Sequence, residues 1–275
     1  MHRAGISEIP HATQARGTLR ATLPGTFCRM RNHRHIALLL AGGSGVRMNA
    51  TLPKQFLRIG GESVLLHTMR AFQRHPLIED IYVVCAREWA AEVEEEAKEG
   101  GVGKFRSTIE GGSTGFESLR NGITGLESLV DDPSAVVLVH DSVRPLVTQD
   151  IISRNIAVCL TCGNAITALP SQEAFLVSKD GKSSTGYLPR EGVLRAQTPQ
   201  TFPLATLTKM LQEASALGIT QSQSLFTLAN EIGHSPLYIA EGNALNFKIT
   251  HPQDILIYQA LKNAPLLTPE IEMQG

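Results

Sequence analysis

From His35 onward, apolar runs of five or six residues alternate with longer stretches whose apolar positions recur at the helical period. No other feature restricts the fold of this chain as much. Ile36-Ala-Leu-Leu-Leu40 reads as a buried strand ending in a glycine loop. The helix predicted over Ser63–Arg74 repeats Leu65, Leu66, Met69 and Phe72. A strand at Ile81–Cys85, a charged helix over Arg87–Lys98 stopped by Gly100 and Gly101, a strand at Lys104–Ile109 and a helix over Ser113–Leu129 follow. Strand Ala135–Val139, helix Gln149–Cys162 and strand Ala165–Leu169 continue the series. This pattern predicts an α/β fold, a Rossmann-like, mostly parallel sheet with helices on both faces.

Residues 171–196 break the rhythm. Phe175-Leu-Val177, the turn signal Lys179-Asp-Gly181 and Gly192-Val-Leu194 predict a β-excursion that leaves the sheet. Beyond it the sequence predicts a helix over Leu204–Leu217, a second helical stretch to Ile232, a strand at Leu237–Ala240 and a closing helix over Pro252–Lys262.

The net charge of −1 conceals a division. Six of the 25 basic side chains (Arg3, Arg16, Arg20, Arg29, Arg31 and Arg34) and one of the 26 acidic ones (Glu8) lie in residues 1–34, which leaves 19 against 25, a net −6, for the rest. Residues 1–34 are read as a basic leader, disordered or upstream of a true start at Met30. Residues 35–264 form the predicted domain, with its arm at about 171–196, and 265–275 form a tail. An acidic body lacks the clustered Lys and Arg that a nucleic-acid surface requires. The longest apolar stretch, Ile36 to Ala41, is too short to cross a bilayer as a helix. Neither nucleic acid nor a membrane is therefore expected as a partner. Four cysteines in 275 residues do not make a disulfide scaffold, so a reducing, cytoplasmic location is the expectation.

In a sheet of this kind ligands gather beyond the carboxyl ends of the strands. The first strand runs into Leu40-Ala-Gly-Gly-Ser-Gly-Val-Arg-Met48, followed by Pro53-Lys54-Gln55. Three glycines within four residues let backbone N–H groups approach a phosphate chain. The loop lacks the Gly-Lys-Ser/Thr of a P-loop and the third glycine of a dinucleotide fingerprint. It offers two cations, Arg47 and Lys54, which suit a triphosphate attacked at its α-phosphorus. The fourth strand ends in His140-Asp141-Ser142-Val143-Arg144-Pro145, which brings a carboxylate and a guanidinium to the same sheet edge. Asp141 could hold Mg²⁺, an ion that takes one or two carboxylates together with substrate phosphates. His140 is expected to orient the loop rather than titrate.

These pieces occur in the order of a known family. Leu40-Ala-Gly-Gly-Ser-Gly-x-Arg-Met48, Pro53-Lys-Gln-Phe56, Gly111-Gly112 with Ser118, His140-Asp-Ser-Val-Arg-Pro145, Ala196-Gln-Thr-Pro-Gln200 and Asn246-Phe-Lys-Ile-Thr250 resemble the polyol-phosphate cytidylyltransferases. That family includes the 2-C-methyl-D-erythritol 4-phosphate and D-ribitol 5-phosphate enzymes, and the resemblance spans residues 35–262. It implies CTP and a polyol phosphate as substrates, Mg²⁺ as cofactor, and direct attack of the polyol phosphate on the CTP α-phosphorus. By the same resemblance, Ala41, Gly42, Gly43 and Gly45 wrap the triphosphate, and Arg47 and Lys54 are the catalytic cations. Gly112 and Ser118 face the cytosine and ribose. Asp141 binds nucleotide and metal, Lys248 binds phosphate beside the metal, and Arg144 and Thr198 contact the polyol phosphate. The excursion resembles an arm that clasps a second subunit, with Arg190 reaching the partner's polyol phosphate, which implies a homodimer.

The sequence also departs from the family pattern. Gly115 stands where the erythritol branch often has arginine. Pro170-Ser-Gln-Glu173-Ala174 replaces the polyol segment Pro-Val-x-Asp-Thr, and Gln221-Ser-Gln-Ser224 stands near an expected Thr-Asp pair. The CTP residues are intact, and three segments lean toward the ribitol branch. Two alternatives are a sugar-1-phosphate nucleotidyltransferase, which lacks the Ala-Gln-Thr-Pro-Gln segment and the arm, and a catalytically weak nucleotide-binding relative. Cys159-x-x-Cys162 has no second pair and sits at a predicted helix end, so neither redox nor zinc chemistry is expected of it.

Overall fold

A computed structural model describes residues 32–42 and 52–263 of the chain. The main strands are β1 (His35–Leu40), β4 (Asp80–Cys85), β5 (Phe105–Glu110), β6 (Val136–Asp141), β7 (Ala165–Pro170), β10 (Leu194–Pro203) and β11 (Ile239–Glu241). They form one seven-stranded sheet in the order β11-β7-β10-β6-β1-β4-β5. Every ladder is parallel except the two made by β10, which runs against β6 on one side and β7 on the other.

Helices α1 (Val64–Gln73), α2 (Ala90–Glu99) and α4 (Gln149–Cys162) cover one face. There Ala37 and Leu39 of β1 pack with Met69, Phe72, Val93 and Ile152. Helices α3 (Gly115–Leu129), α5 (Leu204–Ala216) and α6 (Leu225–Glu231) cover the other, where Ile36 and Leu38 meet Ile123, Leu207 and Leu228. Alternate residues of one strand thus serve two cores, as the period of two requires. The closing helix α7 (Pro252–Asn263) buries Tyr258 in a smaller cluster with Val143 and Ile249. No helix among the described residues is long and apolar enough to cross a membrane.

Local signals explain several boundaries. Ser63 and Thr148 cap α1 and α4 by accepting from the N–H groups of Leu66 and Ile151, and Gly163 ends α4 in the left-handed conformation at φ +91°. The predicted helix from Arg87 begins as a single 3-10 turn, Arg87–Trp89, before α2. A short hairpin, β2 (Arg58–Ile59) with β3 (Glu62–Ser63), was not anticipated; its turn uses Gly60 and Gly61, both with positive φ.

The excursion holds a ribbon of β8 (Phe175–Val177) and β9 (Gly186–Leu188), paired Phe175 to Leu188. Its return strand is therefore Gly186–Leu188, not the expected Gly192–Leu194. Leu194 already begins β10, opposite Pro170, so the excursion spans 171–193. Leu176 and Tyr187 face each other across the ribbon with 74% and 73% of their surface exposed.

Candidate active site

The crossovers reverse direction at β1: β4 and β5 lie to one side, while β6 is reached by crossing back over β1. At such a switch point the loops leaving neighbouring strands part and open a crevice. A cleft of about 290 Å³ lies here, lined by Gly42 and Lys54 from one side, Asp141 and Arg144 from another, and Thr198 and Lys248 from a third. Leu40 and Asp141 are register partners, so the ends of β1 and β6 are level.

The centre is Asp141. Arg144 Nε donates to its Oδ2 at 2.9 Å and Lys248 Nζ to its Oδ1 at 2.9 Å. Burial would raise the carboxyl's pKa, but the Lys248 and Arg144 cations outweigh it and hold the group well below the usual carboxylate range. The Lys248 segment is docked by two bonds: the Arg144 side-chain Nη1 donates to the Asn246 carbonyl at 2.8 Å, and Ile249 N–H donates to the Val143 carbonyl at 2.9 Å. Lys248, 107 residues away in sequence, is thereby brought to Asp141.

Opposite, Ser118 on the first turn of α3 accepts from Gly112 N–H at 3.1 Å. A methyl group added at Gly42 would sit 2.4 Å from the Ser118 hydroxyl oxygen, so the glycine permits a contact no other residue allows. The amino end of α3, with Gly115 and Phe116, points into the cleft and brings the positive end of the helix dipole to its wall. Gln55, beside Lys54, donates to the Ala41 carbonyl at 2.5 Å, and Ala41 N–H donates to Val84. Both backbone groups of Ala41 are thus engaged within the fold.

The third wall is β10. Its register breaks between Ala196 and Gln200, and three carbonyls released by that bulge are each met by a side chain. Gln197 C=O accepts from Gln200 at 3.3 Å, Thr198 C=O from Asn246 at 2.9 Å, and Pro199 C=O from Thr167 at 2.6 Å. The other end of Gln200 accepts from Phe226 N–H at 2.9 Å and so holds the Ser222–Phe226 side of the cleft. Buried His140 stacks edge-on against Phe72, and burial pushes its imidazole down to about 4.

The structure therefore gathers Gly42, Lys54, Ser118, Asp141, Arg144, Thr198 and Lys248 around one cleft, with Gly112 bonded to Ser118. Gly43, Gly45 and Arg47 lie outside the described residues. Arg190 is not part of the cleft of its own chain; it is exposed at the base of the ribbon. Sequence reasoning missed Gln55, Gln200 and the bracing roles of Asn246 and Thr167. The polar residues around Thr198-Pro199, unusual within a strand, were the available signal.

A group of three His, Cys, Asp or Glu side chains able to hold a metal is absent among the described residues. Asp141 supplies a single ionised, partly exposed carboxylate, which suits Mg²⁺ in the mode where substrate phosphates provide further ligands. Burial raises the Cys159 thiol to about 12, so it stays protonated and is a poor nucleophile or ligand.

Comparison with known proteins places this geometry among relatives. The family model described as 2-C-methyl-D-erythritol 4-phosphate cytidylyltransferase matches residues 35–263. A ribitol-5-phosphate cytidylyltransferase of Lacticaseibacillus paracasei is 34% identical over 227 residues, covering 82% of this chain and 96% of the relative. A 2-C-methyl-D-erythritol 4-phosphate cytidylyltransferase of Geotalea uraniireducens is 32% identical over 228 residues, covering 82% and 94%. Among solved structures, a 4-diphosphocytidyl-2C-methyl-D-erythritol synthase superposes with a TM-score of 0.69 at 28% identity, covering 84% of this chain and 99% of that one.

Proposed function

This chain belongs to the 2-C-methyl-D-erythritol 4-phosphate cytidylyltransferase family, and from that premise we propose that it joins the cytidylyl group of CTP to a polyol phosphate, releasing pyrophosphate. The observation that carries the reading is the Asp141 carboxylate held between Arg144 and Lys248 at the switch point, across the cleft from Lys54. A phosphate oxygen of the polyol phosphate forms the new bond to the α-phosphorus. The bond between the α-phosphorus and its bridging oxygen breaks, and pyrophosphate leaves with the electron pair. The attacking oxygen is already ionised at neutral pH, so no general base is required, and catalysis consists of positioning and charge stabilisation.

Lys54 and Arg47 are assigned to the charge that grows on the triphosphate, with Gly42, Gly43 and Gly45 shaping its path and Ala41 anchoring the start of the loop within the fold. Gly112 and Ser118 serve the cytosine and ribose, and Arg144 the polyol phosphate. Asp141 would hold Mg²⁺ with Lys248 beside it; the ion supplies neutralisation of phosphate charge. The exposed Leu176 and Tyr187 support a homodimer through the 171–193 arm, with Arg190 delivered to the partner's polyol phosphate. D-ribitol 5-phosphate is the preferred acceptor over 2-C-methyl-D-erythritol 4-phosphate, on the lean of the Leu52–Phe56, His140–Pro145 and Thr198–Phe202 segments.

Pyrophosphate release with each nucleoside triphosphate and a panel of polyol and sugar phosphates tests this. We expect release with CTP and D-ribitol 5-phosphate above all other pairs. Preference for a sugar 1-phosphate, or silence with every pair, would overturn it.

A further inference from the structure

We propose that His140 is a positioning residue for this reaction, acting through the Thr198 hydroxyl to fix the backbone of Asp141. The inference rests on the cytidylyl-transfer reading above.

The β10 ladder to β6 stops at Gln200 opposite Val139, because the bulge carries the preceding residues away. Asp141 N–H is thereby left without a strand partner on that side. It donates instead to Thr198 Oγ1 at 3.1 Å, so a side chain stands in for the missing ladder acceptor. A hydroxyl is an adaptable substitute, since it rotates and both donates and accepts. His140 removes that freedom. Its Nε2 lies 3.2 Å from the Arg144 carbonyl, an atom that can only accept, so the proton sits on Nε2. Nδ1 of the neutral ring is then an acceptor, 2.9 Å from Thr198 Oγ1, and takes the hydroxyl hydrogen.

The chain of donors closes on itself. Asp141 N–H donates to Thr198, Thr198 to His140 and His140 to the Arg144 carbonyl, while the Arg144 guanidinium returns to the Asp141 carboxylate at 2.9 Å. All four residues are held from both ends, which fixes the orientation of the central carboxylate. Because its hydrogen is committed to His140, Thr198 presents only a lone pair to the cleft and cannot donate to a phosphate. Its part in the reaction is to hold Asp141.

Five variants and ¹⁵N spectra test this. Thr198→Val should lower kcat by about 10–100-fold, the usual effect of losing an outer-shell partner, while KM for the polyol phosphate changes less than about twofold. Thr198→Ser, which restores the hydroxyl, should recover most of the loss. His140→Asn keeps an acceptor toward Thr198, and His140→Gln keeps a donor toward Arg144. Each should retain more kcat than His140→Ala. In the ¹⁵N spectrum of the unsubstituted protein at neutral pH, His140 should appear as the Nε2–H tautomer with a hydrogen-bonded Nδ1. In Thr198→Val the Nδ1 signal should move toward that of a free imine nitrogen. A Thr198→Val enzyme with normal kcat and a tenfold higher polyol-phosphate KM would overturn the proposal in favour of direct contact, as would the Nδ1–H tautomer. Absence of turnover in the unsubstituted protein would instead defeat the reaction reading, and the nitrogen shifts would still show whether the chain exists.

Discussion

Lys54 opens a single 3-10 turn, and its neighbour Gln55 ties that turn to the carbonyl of Ala41, at the end of the first strand. The ammonium is thus carried on a braced element at the cleft, suited to charge that appears only as the phosphorus is attacked. Lys54→Ala should cost about 10²–10³ in kcat, while the CTP dissociation constant by calorimetry changes only a few-fold; equal losses in both would make Lys54 a ground-state binder. Gly42 obeys a different constraint, one of space. Gly42→Ala should destabilise the fold by about 1–3 kcal/mol in chemical denaturation, the range for overpacking. Adding Ser118→Ala should return part of that, because the oxygen 2.4 Å from the new methyl is then gone. Additive losses would mean the clash lies elsewhere.

At the scale of elements, the 171–193 ribbon and strand β10 behave differently from the rest. The ribbon exposes Leu176 and Tyr187 while contributing nothing to either main core. Replacing both by glutamate should convert the proposed dimer to a monomer in light scattering and leave the melting temperature of the dissociated chain nearly unchanged. A variant that remains dimeric would remove the arm from the interface. Arg190→Ala should raise KM for the polyol phosphate and spare that for CTP; the reverse would discredit delivery across subunits. Strands whose residues are apolar throughout, such as Val136–Val139, were legible because burial on both faces leaves no other composition. Strand β10 was not, since Gln197, Thr198, Pro199 and Gln200 carry neither alternation nor an unbroken apolar run. Its place in the sheet is secured by partners 32 and 48 residues away, Thr167 and Asn246, which no local pattern reveals. The cleft residues were readable as motifs, whereas the network joining them depends on three-dimensional proximity alone.

Two buried histidines lie at the end of β1 away from the cleft, and they share the depressed titration of His140 within it. At the amino end, buried His35 and His75 are both pushed down to about 4, chiefly by burial, with His33 and Lys104 adding to it. The unfolded chain takes up these protons near pH 6.5, while the folded one resists until about 4. Stability should therefore be full above 6.5 and fall by on the order of a few kcal/mol as pH drops through that window. His75→Gln should flatten the dependence of the melting temperature between those limits; an unchanged slope would mean that other groups set it. At the carboxyl end, a body of net charge −6 gathers Lys54, Arg144 and Lys248 around one acidic residue, so placement of charge rather than its total decides what can bind. The reversed direction of β10 has one more effect. Pro170 and Leu194 are partners across one antiparallel ladder, so the 23 residues between them begin and end a single interstrand spacing, about 5 Å, apart. An insertion closed so tightly can grow, shrink or be exchanged at a cost of only about 0.6 kcal/mol for each doubling of length. The arm can therefore change length at little cost to the fold, while Arg190 and the apolar pair Leu176 and Tyr187 restrict which of its side chains can change.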